Sequence, residues 1–260
     1  MTMSTNYMIT LPRTRESIQA VWLLQWMIDN DIHKWIIAKE TGTDGYKHWQ
    51  IRVQARYTWE EMKKKFGSEA HIEEASDTWT YERKEGEYWS STDTPGALEQ
   101  RYAELRPWQK RILEISEKST DREIVVCHDP AGNHGKSFLI AYLWERGLAH
   151  CVQGQNNAKG IVQDCASEFI SNGFRPIVVI DIPWTWKWTK DLYVAIERIK
   201  DGLIKDTRYG SRTINIHGVQ VLVMCNQKPN MKLLAPDRWK LLTICDSEDG
   251  PTLLSEPPLT

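Results

Sequence analysis

The sequence predicts two domains of different class, an α+β domain built on an antiparallel sheet followed by an α/β domain built on a buried parallel sheet. Three observations predict this. The first ninety or so residues alternate short strand-like and helix-like patterns in the order β-α-β-β-α-β-α, which suits helices laid over an antiparallel sheet. Further along, Glu123–Cys127 (EIVVC), Pro176–Ile182 (PIVVIDI) and Val219–Cys225 (VQVLVMC) are nearly continuous β-branched runs, the pattern of strands covered on both faces. A chain of 260 residues with 41% hydrophobic residues and 13 Trp has enough apolar surface for two cores.

In the first domain Asn6–Leu11 reads as a strand. Ser17–Asp31 carries Ile18, Val21, Trp22, Leu24, Trp26 and Ile28 in a helical rhythm after the cap-like Thr14-Arg15-Glu16. His33–Lys39 and His48–Gln54 form a strand pair, with Gly42 and Gly45 supplying the turn. Thr58 caps a helix that Gly67 ends, Ala70–Glu74 is a further short strand, and Asp77–Glu85 a short helix. Ser90–Gly96 (SSTDTPG) reads as linker. The boundaries drawn are 1–95 for the first domain, 96–120 for linker and oligomerisation helices, including a helix over Leu105–Ser119, and 121–260 for the second.

A formal charge of −2 leaves no global basic footprint, so any nucleic-acid reading must rest on individual sites. No apolar run approaches the ~18 residues of a membrane span, and the first residues lack the pattern of a secretory signal. Neither secretion nor a membrane partner is expected. The five cysteines are odd in number, widely spaced and mostly set in apolar runs, which points to buried reduced thiols.

Two constellations carry chemistry. The run Glu123–Gly147 reads as a buried strand, a glycine-containing loop and a helix opened by Gly135-Lys136-Ser137. Phosphate binding needs backbone N–H groups at a helix start, a lysine for the β/γ-phosphates and a hydroxyl for Mg²⁺. Gly132 and Gly135 permit the close approach, Lys136 is the cation and Ser137 the metal ligand. Asp181 and Asn226 close two of the buried runs; they would hold Mg²⁺ through water and orient the attacking water or sense the γ-phosphate.

In the first domain, His48 and Gln50 share one strand face, and Glu40 ends the preceding strand. An imidazole, an amide oxygen and a carboxylate suit Mg²⁺ or Mn²⁺, although His-x-Gln by itself is more often an ordinary exposed strand face. Tyr81 and Lys84 lie three apart on the expected helix, hence on one face. A tyrosine there could attack a phosphodiester while Lys84 neutralises charge in the transition state.

Taken in order, these segments resemble the replication initiator proteins (Rep) of small circular single-stranded DNA viruses, of the nanovirus, alphasatellite and circovirus type. Tyr7–Thr14 is similar to the family's first endonuclease motif. Glu40 with His48-Trp49-Gln50 resembles the second, which holds a metal ion, and Tyr81–Gly86 the third, with the nucleophilic Tyr81 and supporting Lys84. Asp129–Ser137 resembles the family's phosphate loop, with Asp129 in place of the first Gly, and Asp181-Ile-Pro183 its Walker B segment. Ile199–Ile204 and Arg208–Arg212 resemble the stretch that contacts DNA in the helicase pore, Asn226 with Pro229 the sensor, and Pro236–Trp239 the segment bearing an arginine finger, Arg238.

The resemblance implies an HUH-type endonuclease with a ferredoxin-like sheet joined to a superfamily 3 helicase of the AAA+ class. The implied protein nicks and rejoins origin DNA through a covalent 5′-phosphotyrosine. It uses ATP with Mg²⁺ or Mn²⁺, and Lys205, Arg208 and Arg212 contact single-stranded DNA. The partners it implies are further copies of the chain in a ring of six and the host replication machinery in the nucleus. The alternative left open is a P-loop ATPase whose first domain binds RNA or DNA without cutting it.

Overall fold

A computed structural model describes residues 4–13, 19–153, 157–208 and 210–255. The cap-like Thr14-Arg15-Glu16, the end of the first motif at Thr14, and Tyr209 lie outside the described residues. The chain divides into two units, one formed by the chain through Tyr102 with Glu145–Gly147, the other by Ala103–Trp144 and the chain from Leu148 on.

The first unit contains β1 (Thr5–Pro12), α1 (Ala20–Asp29), β2 (Lys34–Thr41), β3 (Lys47–Ala55), α2 (Trp59–Phe66), β4 (His71–Glu74), β5 (Tyr88–Ser90) and α3 (Pro95–Tyr102). Its sheet has the order β4-β1-β3-β2-β5, antiparallel at every pair. Alternation along the strands gives the sheet two unlike faces. Tyr7, Ile9, Ile37, Ile51 and Val53 join Leu23 and Met27 of α1 and Met62 of α2 in one apolar cluster. The other face carries Glu40, His48, Gln50 and Arg52.

Local chemistry explains several of these elements. Thr58 and Glu61 form a reciprocal capping box at the start of α2, and Gly67 ends it with a left-handed φ of 82°. The expected helix over Asp77–Glu85 is absent; a single 3₁₀ turn covers Tyr81–Arg83. Glu82 turns inward there to Arg52, and this tertiary pull overrides helix periodicity. The expected linker is also structured. Ser90 ends edge strand β5, Asp93 accepts from the Ser90 N–H at 2.8 Å, and the same carboxylate pairs with buried Arg101 at 2.7 Å.

The second unit contains α4 (Pro107–Glu117), β6 (Ile124–His128), α5 (Lys136–Glu145), β7 (Ala149–Gln153), α6 (Ala158–Asn172), β8 (Ile177–Asp181), α7 (Lys190–Asp201), β9 (Leu203–Asp206), β10 (Arg212–Asn215), β11 (Gln220–Cys225), β12 (Trp239–Cys245) and β13 (Thr252–Ser255). The main sheet runs β13-β12-β6-β11-β8-β7. Five of its strands are parallel and β13 joins antiparallel at the edge, so the sheet is mixed where the sequence predicted a parallel one. Apolar clusters cover both faces, as the β-branched runs require.

Helix α4, read from sequence as an oligomerisation element, places Trp108 and Ile112 in one of those clusters. None of the five cysteines is disulfide-bonded, and Cys127, Cys165 and Cys225 are buried. Among the described residues, no helix is long and apolar enough to cross a membrane.

Candidate functional site

Glu40 on β2 and His48 on β3 are direct cross-strand partners. The turn between the strands is closed by a hydrogen bond from the Gly42 N–H to the Tyr46 carbonyl at 2.8 Å. His48 Nε2 lies 3.5 Å from Glu40 Oε2, while His48 Nδ1 faces the Tyr46 carbonyl at 3.2 Å. A carbonyl only accepts, so Nδ1 carries the proton and Nε2 keeps its lone pair for a metal ion. The Tyr46 ring stacks on the imidazole at 5.3 Å.

Gln50 shares this face, but its Oε1 already accepts from the Thr10 hydroxyl at 3.0 Å. Glu40 is 2% exposed, and its Oε1 is buried without a hydrogen-bond partner. An orphaned carboxylate oxygen beside an imidazole nitrogen fits a divalent cation. Among the described residues, no group of three or more His, Cys, Asp or Glu gathers as a metal cage. Glu40 and His48 would therefore hold such an ion with help from Gln50, solvent and substrate oxygens.

The segment after the 3₁₀ turn is fastened to this face at three points. Lys84 Nζ lies 2.7 Å from Glu40 Oε2, Glu85 accepts from the Thr41 N–H at 2.9 Å, and Glu82 Oε1 accepts from Arg52 Nε at 2.7 Å. Tyr81, immediately before the first of these anchors, is 51% exposed. Lys84 Nζ stands 3.8 Å from the centroid of its ring. Burial raises the Glu40 pKa despite the opposing pull of Lys84. Burial alone would lower the Lys84 pKa, but hydrogen bonds to Glu40 and Tyr81 outweigh it and raise that pKa. The cluster thus brings together an exposed phenol, an ammonium held charged, a carboxylate and an imidazole. Arg52, Glu82 and Glu85 carried no signal in the sequence.

In the second unit, parallel register puts the ends of β6, β8 and β11 on one edge of the sheet. The loop 129–135 joins β6 to α5, with left-handed backbone at Gly132 (φ 74°), Asn133 (62°) and Gly135 (91°). Lys136 is nearly buried at the start of α5, and Ser137 beside it is exposed. Asp129 is fully buried. Its Oδ2 lies 2.7 Å from Lys136 Nζ, and its Oδ1 accepts from the Gly132 N–H at 2.8 Å and meets His134 Nδ1 at 2.7 Å. Asn226 Nδ2 donates to the Asp129 carbonyl at 2.7 Å, which brings the sequence-predicted Asn226 onto the loop.

Asp181 ends β8; burial raises its pKa against the opposing charge of Lys136. The start of α4 supports the loop from outside, with Arg106 donating to the His134 carbonyl at 3.1 Å and Gln109 to the Gly135 carbonyl at 3.0 Å. These two residues, with His134, were not legible as loop contacts in the sequence.

Four further expected residues lie apart from the loop. Arg208 is paired with Asp206 at 3.1 Å and donates to the Gln163 carbonyl. In the β9–β10 hairpin, Arg212 is registered with Asp206 and Lys205 with Thr213, so Lys205 and Arg212 lie on opposite faces. Arg238 is 7% exposed, with its guanidinium 2.8 Å from Asp201. It is tied to α7 of its own unit in this chain.

Fold and sites define a two-unit α/β protein that pairs a Tyr-Lys-Glu-His cluster on an antiparallel sheet with a lysine-bearing loop on a mostly parallel one. Para-Rep C7 of Faba bean necrotic yellows C7 alphasatellite is 32% identical over 145 residues, covering 54% of this chain and 48% of its own. Para-Rep C10 of Milk vetch dwarf C10 alphasatellite matches with the same identity and coverage. The master replication protein of Subterranean clover stunt virus (strain F) is 24% identical over 142 residues, covering 55% and 46%. The chain is a relative of the Rep-type replication proteins of alphasatellites and nanoviruses. It spans about half the length of these curated relatives. No protein-family model matches it. A glutamyl-tRNA reductase from Methanopyrus kandleri aligns at a TM-score of 0.22 and 10% identity, over 85% of this chain and 71% of that one, a likeness too slight to argue from.

Proposed function

We propose that this chain initiates replication of a small circular single-stranded DNA, nicking and rejoining it at the origin and hydrolysing ATP to move along it. The observation that carries the reading is Tyr81, exposed and beside Lys84, which pairs with Glu40, itself next to His48. The Tyr81 oxygen attacks a backbone phosphorus, an O–P bond forms, the P–O3′ bond breaks, and the 3′ oxygen leaves as a hydroxyl after gaining a proton. The 5′-phosphate stays on Tyr81. Attack by a 3′-OH on that phosphotyrosine reverses the step, so rejoining requires no ATP.

Lys84 offsets the negative charge that grows on phosphorus-bound oxygens in the transition state. Glu40 and His48, with Gln50 on the same sheet face, would hold the divalent cation. When bound, Mg²⁺ or Mn²⁺ polarises the phosphoryl oxygen. In the second unit Lys136 takes the β/γ-phosphates of ATP, Ser137 and Asp181 serve its Mg²⁺, and Asn226 reads the loop. Single-stranded DNA, further copies of the chain and the host polymerase in the nucleus are the partners this role requires. Lys205 and Arg212 remain the candidate contacts to DNA on the hairpin.

The deciding experiment incubates the chain with Mn²⁺ and a 3′-end-labelled single-stranded oligonucleotide carrying the origin loop of its own replicon, beside Tyr81→Phe. A labelled protein–DNA adduct that Tyr81→Phe lacks supports the proposal. Absence of both cleavage and adduct refutes it.

A further inference from the structure

We propose that Asp129 is a positioning residue, an anion inside the loop that sets how strongly Lys136 can hold a phosphate. This rests on the reading of Asp129–Ser137 as a phosphate loop. Asp129 is fully buried and spends one oxygen on Lys136 Nζ at 2.7 Å, the other on the Gly132 N–H at 2.8 Å and His134 Nδ1 at 2.7 Å. His134 continues the chain of contacts, with Nε2 3.1 Å from Asp246 just beyond β12. Two carboxylates, one imidazole and one ammonium thus run from the end of β12 to the lysine.

A phosphate within reach of Lys136 must share the ammonium with Asp129, and it meets a second negative charge one hydrogen bond further in. Both effects weaken anion binding, and more so in a water-poor pocket than in solvent. The loop does not depend on this carboxylate alone for its shape. Asn226 holds the Asp129 carbonyl, and Arg106 and Gln109 hold the carbonyls of His134 and Gly135. Asp129 is not among the residues with left-handed backbone, so no special conformational freedom dictates the residue type here. What Asp contributes over Gly at this position is its charge.

The neutral variant Asp129→Asn keeps an oxygen for Gly132 and turns its amide toward Lys136, which frees the ammonium for phosphate. A residue that merely supports the loop would weaken nucleotide binding when altered; a competing anion tightens it. Calorimetric titration of the full chain with ATP and Mg²⁺ should give Asp129→Asn a Kd about three- to thirtyfold lower than wild type, the range of coupling between contacting charges. The gain should vanish when the same change is made in a Lys136→Ala background. Asp129→Gly is the second variant, expected to shift in the same direction.

Unchanged or weaker binding by a folded Asp129→Asn or Asp129→Gly overturns the proposal, as does a gain that persists without Lys136. Failure of both variants to fold also overturns it, because the carboxylate would then be holding the loop up. If wild type and every variant fail to bind ATP, the phosphate-loop reading itself falls, an outcome distinct from normal wild-type binding with no gain in the variants.

Discussion

Arg52 and Glu82 form a buried ion pair, Nε to Oε1 2.7 Å, with side chains 6% and 0% exposed. A second nitrogen of Arg52 donates to the Ser76 carbonyl at 2.8 Å. The pair pins the turn that carries Tyr81 to the middle of β3. The position of Tyr81, the proposed nucleophile, is therefore set by a residue that takes no part in the proposed chemistry.

Arg52→Met leaves the Glu82 carboxylate buried and alone. The expected cost is about 3–5 kcal/mol, the range for breaking one side of a buried pair, read as a lower urea midpoint. Arg52→Met combined with Glu82→Leu should recover most of that loss. A single-variant loss under about 1 kcal/mol would show that the pair is not desolvated as described.

Tyr81→Phe removes a hydroxyl from an exposed ring and should move the unfolding free energy by no more than about 0.5 kcal/mol. Adduct formation should nonetheless disappear. Lys84→Ala should slow nicking about 10²- to 10³-fold, as loss of one charge-stabilising donor does in other sites. A normal nicking rate in Lys84→Ala would remove it from the mechanism.

The metal assignment makes a prediction that does not depend on activity. Mn²⁺ that binds only the folded chain raises its melting temperature. The rise should occur in wild type and be lost in Glu40→Gln and in His48→Ala, but persist in Tyr81→Phe. Equal shifts in all four proteins would place the ion elsewhere.

Much of this arrangement was legible in the sequence, and the missing parts share a cause. The β2–β3 pair, the α2 cap at Thr58 and stop at Gly67, and the strand–loop–helix at Lys136 are local patterns, visible within a few residues. The edge strand β5 and strand β12 were not foreseen, because Tyr88–Ser90 is too short for periodicity and Trp239–Cys245 was read only for its neighbouring Arg238. Arg52–Glu82, His134–Asp246 and Gln109 on the Gly135 carbonyl join residues distant in sequence, and neither period nor composition encodes such partners. The ion pairs of Arg208 with Asp206 and of Arg238 with Asp201 likewise become evident only in three dimensions.

Lys136→Ala should abolish ATP hydrolysis and leave nicking at its wild-type rate, because Lys136 and Tyr81 belong to different units. The same change strands the Asp129 carboxylate with its remaining donors, and a stability loss of about 1–3 kcal/mol is expected from urea titration. Loss of nicking in a folded Lys136→Ala protein would show that the two activities are coupled.

His134 has a pKa raised above its ordinary value by its hydrogen bond to Asp129; burial opposes the shift and the contact with Asp246 adds to it. A raised folded-state pKa means stabilisation that is complete below the unfolded value, about 6.5, and is lost as pH climbs through the higher folded value. The difference in melting temperature between wild type and His134→Asn should accordingly shrink as pH rises above about 6.5. A gap that is constant or widens above that pH would contradict the ionised bridge.

The direct pairing of Glu40 with His48 ties the chemistry to arithmetic in the turn between them. Side chains alternate faces along a strand, so adding or deleting one residue between Thr41 and Lys47 would slip the register and rotate either the carboxylate or the imidazole to the apolar side. Natural variants and designed insertions in this hairpin should then change its length in steps of two, or with a compensating bulge. Tags and reporters belong at other surface loops.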